Sequence, residues 1–186
     1  VAAGMAKDFP ALTAHHREFI ARQHMFFTAS AASGTRINVS PRSTDMLRVT
    51  GDNSVVYLDR TGSGNETAAH LRECDRMTLM WCSFEGPPLI LRLYGTARAV
   101  HGWDADWDEL MALFPGMPGP RQVLDMHVDL VQTSCGAGVP LYAYVGDRDD
   151  LRDWLAGEGD EGIRQYWAEA NQVSLDGKPT GVLGEG

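Results

Sequence analysis

From His24 to Val100 the sequence is a succession of short, β-rich apolar runs separated by tight turn signals, and this punctuation limits the possible folds more than any other feature. The runs are HMFFTASA (24–31), RINVS (36–40), MLRV (46–49), VVYLD (55–59), RMTLMWCSF (76–84) and PLILRLYGTARAV (88–100). Ser33-Gly34, Gly51-Asp52-Asn53 and Glu85-Gly86-Pro87-Pro88 fall between runs, where turns need glycine, asparagine or proline. Such short connections favour antiparallel neighbours, because parallel ones need a long crossover. Two further strands are expected at 128–133 and 139–145. Helices are expected at 13–23, 66–74, 107–114, 149–156 and 162–171, the first capped by Thr13. Closing a sheet of this kind hides its edges. The expected fold is α+β, an antiparallel β-barrel of six to seven strands decorated by helices. No repeat or linker interrupts the pattern, so residues 1–186 read as a single domain.

At 186 residues the chain can build a core without disulfides or metals. Its formal charge of −9 argues against general binding to nucleic acid or anionic membranes, though a local basic pocket for one phosphate is compatible with it. No apolar run approaches the ~20 residues of a membrane-spanning helix. Val1–Pro10 shows no basic-then-apolar leader. Cys74, Cys82 and Cys135 are odd in number and form no Cys-x-x-Cys, which disfavours a disulfide scaffold or a zinc site and suits reduced thiols in a cytoplasm.

Three stretches carry possible chemistry. In VVYLDRTGSGNETAAHLREC (55–74) a strand enters a loop with two glycines that opens a helix. Ser63-x-x-Glu66 reads as a capping box starting that helix at Ser63. The amides of Gly64, Asn65 and Glu66 would then point outward, an arrangement that suits phosphate. The same spacing also fits a plain capped turn. Neither a Walker lysine nor a complete G-x-G-x-x-G is present. In RINVSPR (36–42), strand alternation puts Asn38 and Ser40 on one face and Ile37 and Val39 on the other. Pro41 is expected to end the strand and Arg42 to project as an anion ligand or a solvated arginine. Gln132-Thr133-Ser134 groups donors and acceptors at a strand end, where a heterocycle's edge could be read. Cys135, next in line, reads as an inert thiol. His15, His16 and His24 match no metal-binding spacing, and Trp154, Tyr166 and Trp167 read as core or interface anchors.

Four pieces in order, RINVSPRS, YLDRTGSGNETAAHL, GPPLILRLYGTARAV and VQTSCG, resemble the pyridoxamine 5'-phosphate oxidase-like family of FMN-binding split barrels. The resemblance spans roughly 19–145, and the tail NQVSLDGKPTG resembles a bacterial branch of that family. It implies a homodimer with FMN in a cleft between subunits and an FMN-dependent oxidoreductase passing hydride between a small substrate and flavin N5. It also leaves open a non-catalytic flavin- or haem-binding module, or a deazaflavin-using reductase on the same barrel. By position, Ile37, Asn38, Val39, Ser40 and Arg42 would lie along the isoalloxazine. Leu58 and Asp59 would follow the ribityl chain, and Ser63, Gly64 and Asn65 would meet the phosphate. Gln132, Thr133 and Ser134 would come from the partner. The family's Arg-Lys clamp is Gly64-Asn65 here, so the phosphate would lean on backbone amides, Arg42 and Arg60. The Arg-Leu-x-Pro element of true pyridoxamine phosphate oxidases is missing, so vitamin B6 oxidation is not expected. No catalytic acid, base or metal ligand is assigned.

Overall fold

In the computed structural model, residues 6–184 are described, so Val1–Met5, half of the stretch read for a leader, lie outside them, as do Glu185 and Gly186 of the single-domain assignment. The chain runs through β1 (Lys7–Phe9), α1 (Ala14–Arg22), β2 (Met25–Ser30), β3 (Asn38–Ser43), β4 (Leu47–Gly51), β5 (Ser54–Arg60), α2 (Glu66–Leu71), β6 (Arg76–Cys82), β7 (Ile90–Val100), α3 (Trp107–Met111), β8 (Pro120–Ser134) and α4 (Asp150–Tyr166). A 3₁₀ turn links β3 to β4, and a π-helical turn, Trp167–Asn171, continues α4.

The sheet order is β3-β2-β6-β7-β8-β5-β4, with β1 added along β8, and every pairing is antiparallel. This is the antiparallel split barrel that the turn-punctuated runs imply. Phe26, Tyr57, Leu79, Trp81, Leu93 and Met126 centre the main apolar core. A second cluster gathers Met46, Val56, Leu58, Val100, Phe114 and Val123 beneath α3. Gly95 sits where the β7–β8 register shifts, and a Cβ there would lie 1.9 Å from the His127 carbonyl oxygen. Only glycine lets the two backbones approach so closely at this bulge.

Thr13 caps α1 as expected: its hydroxyl accepts from the His16 amide, and His16 Nδ1 accepts in return from the Thr13 amide. Several expectations need correction. β3 does not end at Pro41 but continues to Ser43; it pairs only with β2 on this path, and an edge strand tolerates a residue without an N–H. β8 begins at Pro120 rather than near 128, because Arg121 and Gln122 are polar side chains that fold inward instead of marking a loop. The 139–145 segment forms no strand. It runs as an exposed arm, held by the Tyr142 amide on the Phe84 carbonyl and the Tyr144 amide on Glu85. The two helices expected near the C-terminus are joined across a break at Gly159, where φ is +64°. The three cysteines are free.

Candidate cofactor site

β3 presents Asn38, Ser40 and Arg42 on one face, as alternation requires. Ser40 donates to Asn38, which donates to Thr67 at the start of α2. Arg42 reaches Asp59 at 2.9 Å. Asp59 is 2% exposed and also accepts from Arg121 and Gln122, each at 2.8 Å. Gln122 extends the network by donating to Asn65 Oδ1 at 2.7 Å. Burial opposes the Asp59 charge, yet the flanking Arg121 and Arg42 guanidiniums hold its carboxyl below the usual carboxylate range. Asp59 in turn raises the pKa of Arg42. Burial and the Asp59 charge push the Tyr57 phenol up to about 12, so it stays protonated among Thr28, Thr67 and Arg42. Two guanidiniums against one carboxylate leave the cluster with one net positive charge.

The loop before α2 is fixed from behind. Arg121 donates to the Gly62 carbonyl at 3.3 Å and to Asn171 Oδ1 at 2.8 Å, while Asn171 donates to the same carbonyl at 3.0 Å. Trp167 donates to Thr61. With the Gly62 carbonyl held inward, Ser63 and Gly64 lie exposed, and their amides donate to no group among the described residues. The side-chain amide nitrogen of Asn65 is buried without a hydrogen-bond partner. These are all donors beside a net positive cluster, a set that fits a phosphate. The expected capping box does not form: Asn65 holds the cap position, and the Glu66 carboxylate accepts instead from the Leu175 amide of the tail.

The single chain thus brings together Asn38, Ser40, Arg42, Asp59 and Asn65, with Ser63 and Gly64 at their margin. Other residues fall elsewhere. Arg42 is committed to Asp59 rather than projecting freely into solvent. Leu58 turns its side chain into the second core, leaving only its backbone for a ligand; β4 pairs with β5 no further than Tyr57, so that stretch faces no strand on that side. Ile37 and Val39 point outward, 76% and 60% exposed. Gln132, Thr133 and Ser134 lie ten or more residues along β8 from Gln122, the partner of Asp59, which is about 30 Å at the usual rise per residue. Pairing registers put Pro41, Phe27, Met80, Arg92 and Gln132 in one row on the outer face of the sheet, away from the core. Ser134, which accepts from Arg92, shares that face.

Sequence reasoning missed Arg121, Gln122 and Asn171. Arg121 and Gln122 interrupt the apolar pattern where β8 begins, so the strand's start was invisible. Asn171 lies in a helical turn that gives no hint of a loop partner so far away in sequence.

The model of the pyridoxamine 5'-phosphate oxidase family matches residues 12–135, which include the cluster and its loop. The chain belongs to the pyridoxamine 5'-phosphate oxidase family. A member described as pyridoxamine 5'-phosphate oxidase family protein ustO, from Aspergillus flavus, is 33% identical over 192 residues, covering 92% of this chain and 76% of that protein. Two solved structures share the fold at lower identity. HupZ of Group A Streptococcus has a TM-score of 0.54 at 18% identity, covering 72% of this chain and 99% of its own. An FMN-binding protein of Syntrophomonas wolfei subsp. wolfei has a TM-score of 0.50 at 16% identity, covering 68% and 85%. No helix among the described residues is long and apolar enough to cross a membrane.

Proposed function

We propose that two copies of this chain bind FMN between them and act as an FMN-dependent oxidoreductase on a small substrate. The observation that carries the reading is the loop's free donors: exposed Ser63 and Gly64 amides and the unpartnered Asn65 amide nitrogen, backed by a cluster with one net positive charge. Such a surface suits a phosphate monoester and repels no part of it. The lost Arg-Lys clamp of the family is offset by Arg121, which stands behind the loop and aims its amides outward. Asn38, Ser40 and Arg42 would line the ribityl side, and the open edge of Leu58–Arg60 would offer backbone groups.

The second copy supplies what one chain lacks. The outer sheet face carries Phe27, Ala29, Met80, Tyr94 and Leu130, all only partly buried, an apolar surface of the kind homodimers cover. Gln132 and Ser134 rise from that same face, so closing it against another copy would carry them toward the partner's flavin. When bound, the flavin supplies hydride exchange at N5; the chain holds the ring, orders the polar edges and excludes water. The whole chain acts as one unit in this reading, because Trp167 and Asn171 of the tail brace the loop.

Anaerobic mixing of the FMN-loaded protein with NADH or NADPH tests the activity. Bleaching of the flavin band within seconds, reversed by an added acceptor, is the expected result. A bound flavin that no donor reduces would make the protein a carrier.

A further inference from the structure

A cavity of about 860 Å³ opens at the end of the sheet where β2 begins and β6 ends, between α1, the 84–89 turn and the exposed arm. Ligand cavities fall in the range of roughly 300–1,000 Å³. Five aromatic side chains, Phe19, Phe27, Phe84, Tyr142 and Tyr144, line it. At one wall the His24 and Tyr144 rings lie parallel, with centroids 3.6 Å apart and an interplanar angle of 2°, which makes a flat stacking surface. The rim carries Arg22, whose guanidinium has no ion-pair or hydrogen-bond partner among the described residues. Glu85, also at the rim, is occupied by the Tyr144 amide. Phe27 belongs both to this cavity and to the outer-face row, in which Met80 and Arg92 stand between it and Gln132, so the cavity borders the face assigned above to the second copy.

From this juxtaposition we propose that the cavity is the substrate pocket, and that it takes a planar aromatic molecule carrying a carboxylate or another acceptor at one edge. The rings and Met25 surround the flat body, and Arg22 meets the acceptor. The arm forms one wall on few attachments, so it can part from Glu85 and Phe84 to admit the ligand. The substrate role rests on the flavin reading; the cavity's preference for an aromatic acid does not.

The test is calorimetric titration of 2-naphthoate into the 186-residue chain, with and without FMN. Arg22 and Ala143 are both exposed, so Arg22→Ala and Ala143→Trp alter the cavity without entering the core. One naphthoate per chain is expected in both states. Arg22→Ala should weaken binding about tenfold, and Ala143→Trp should abolish it by filling the space, with FMN affinity unchanged in each. Uptake unaffected by either substitution overturns the proposal, as does FMN displacing naphthoate competitively, which would make the cavity the flavin ring's own site. Naphthoate affinity that falls as protein concentration rises would give the cavity to a second copy. FMN uptake without naphthoate binding overturns the pocket alone, whereas naphthoate binding without FMN uptake overturns the substrate role together with the flavin reading.

Discussion

Asn171 donates to the Gly62 carbonyl at 3.0 Å although 109 residues separate the two in the chain. The contact makes the conformation of the glycine loop depend on the C-terminal tail. Its backbone is held by a side chain that itself is fully buried and shared with Arg121.

Asn171→Ala should therefore loosen the loop as well as the fold. It removes hydrogen bonds to Gly62 and Arg121 and leaves part of a buried guanidinium unsatisfied, a loss of about 1–3 kcal/mol. Urea unfolding should report the stability change, and FMN affinity should fall in the same variant. Normal FMN affinity in a destabilised Asn171→Ala protein would separate the tail from the site.

Stability should fall with acidity in two windows. His101 has its pKa lowered chiefly by burial, so the folded state takes up a proton less readily than the unfolded chain. The unfolded chain then binds more protons as pH drops through about 6.5, and stability declines there. Asp59 is depressed in the folded state, so its contribution is complete above the unfolded value near 3.8 and is lost as pH falls below it. Unfolding free energy measured from pH 8 to 3 should slope downward through both windows. His101→Gln should reduce the upper slope and leave the part that His16 contributes, since burial lowers its pKa as well, and Asp59→Asn should reduce the lower slope.

Gly95→Ala should be among the most damaging single-methyl changes in the protein. The added carbon would collide with the His127 carbonyl, which belongs to the neighbouring backbone and cannot swing aside. Overpacking of a rigid site costs about 1–3 kcal/mol or more. For a chain of this size a fall of about 2–4 °C in melting temperature is expected per kcal/mol lost, and an unchanged melting temperature would contradict the close approach at this bulge.

Met80→Arg places a charge in the middle of the outer-face row, between Phe27 and Arg92. Because the side chain points away from the core, the barrel should fold, but association through that face should fail. Light scattering should show a dimer for the parent and a monomer for the variant, with flavin affinity lost alongside. A variant that remains dimeric would move the interface elsewhere.

The barrel was legible in the sequence because its turns are written in glycine, proline and asparagine and its strands in β-branched and aromatic residues. VVYLD and the Asn38–Ser40 part of RINVS fell into register as their alternation implied, while Arg36 and Ile37 stayed outside β3, and Thr13 capped α1 as its position implied. The site was legible only in part. Asn38 and Ser40 share a face by periodicity alone, but Arg42 joins them only because β3 runs past Pro41, and the packing that turns it onto Asp59 and buries Arg121 behind Gly62 is tertiary. Ser63 looked like a helix cap because local spacing allowed it; the tail's Leu175 amide claimed Glu66 instead. Residues 139–145 carried strand propensity, yet without a neighbouring strand to take their hydrogen bonds they remain an exposed arm, because β-propensity reflects fit to a sheet more than an intrinsic backbone preference.

In the reading proposed above, the Ser63–Asn65 loop, backed by Arg121, holds the phosphate of FMN in an assembly of two chains. FMN titrated into the purified protein at micromolar concentration, followed by flavin fluorescence and light scattering on the same sample, tests it most directly. Saturation at one FMN per chain in a dimer is expected, with riboflavin, which lacks the phosphate, binding far more weakly. Equal binding of riboflavin and FMN, or no binding of either, would contradict it.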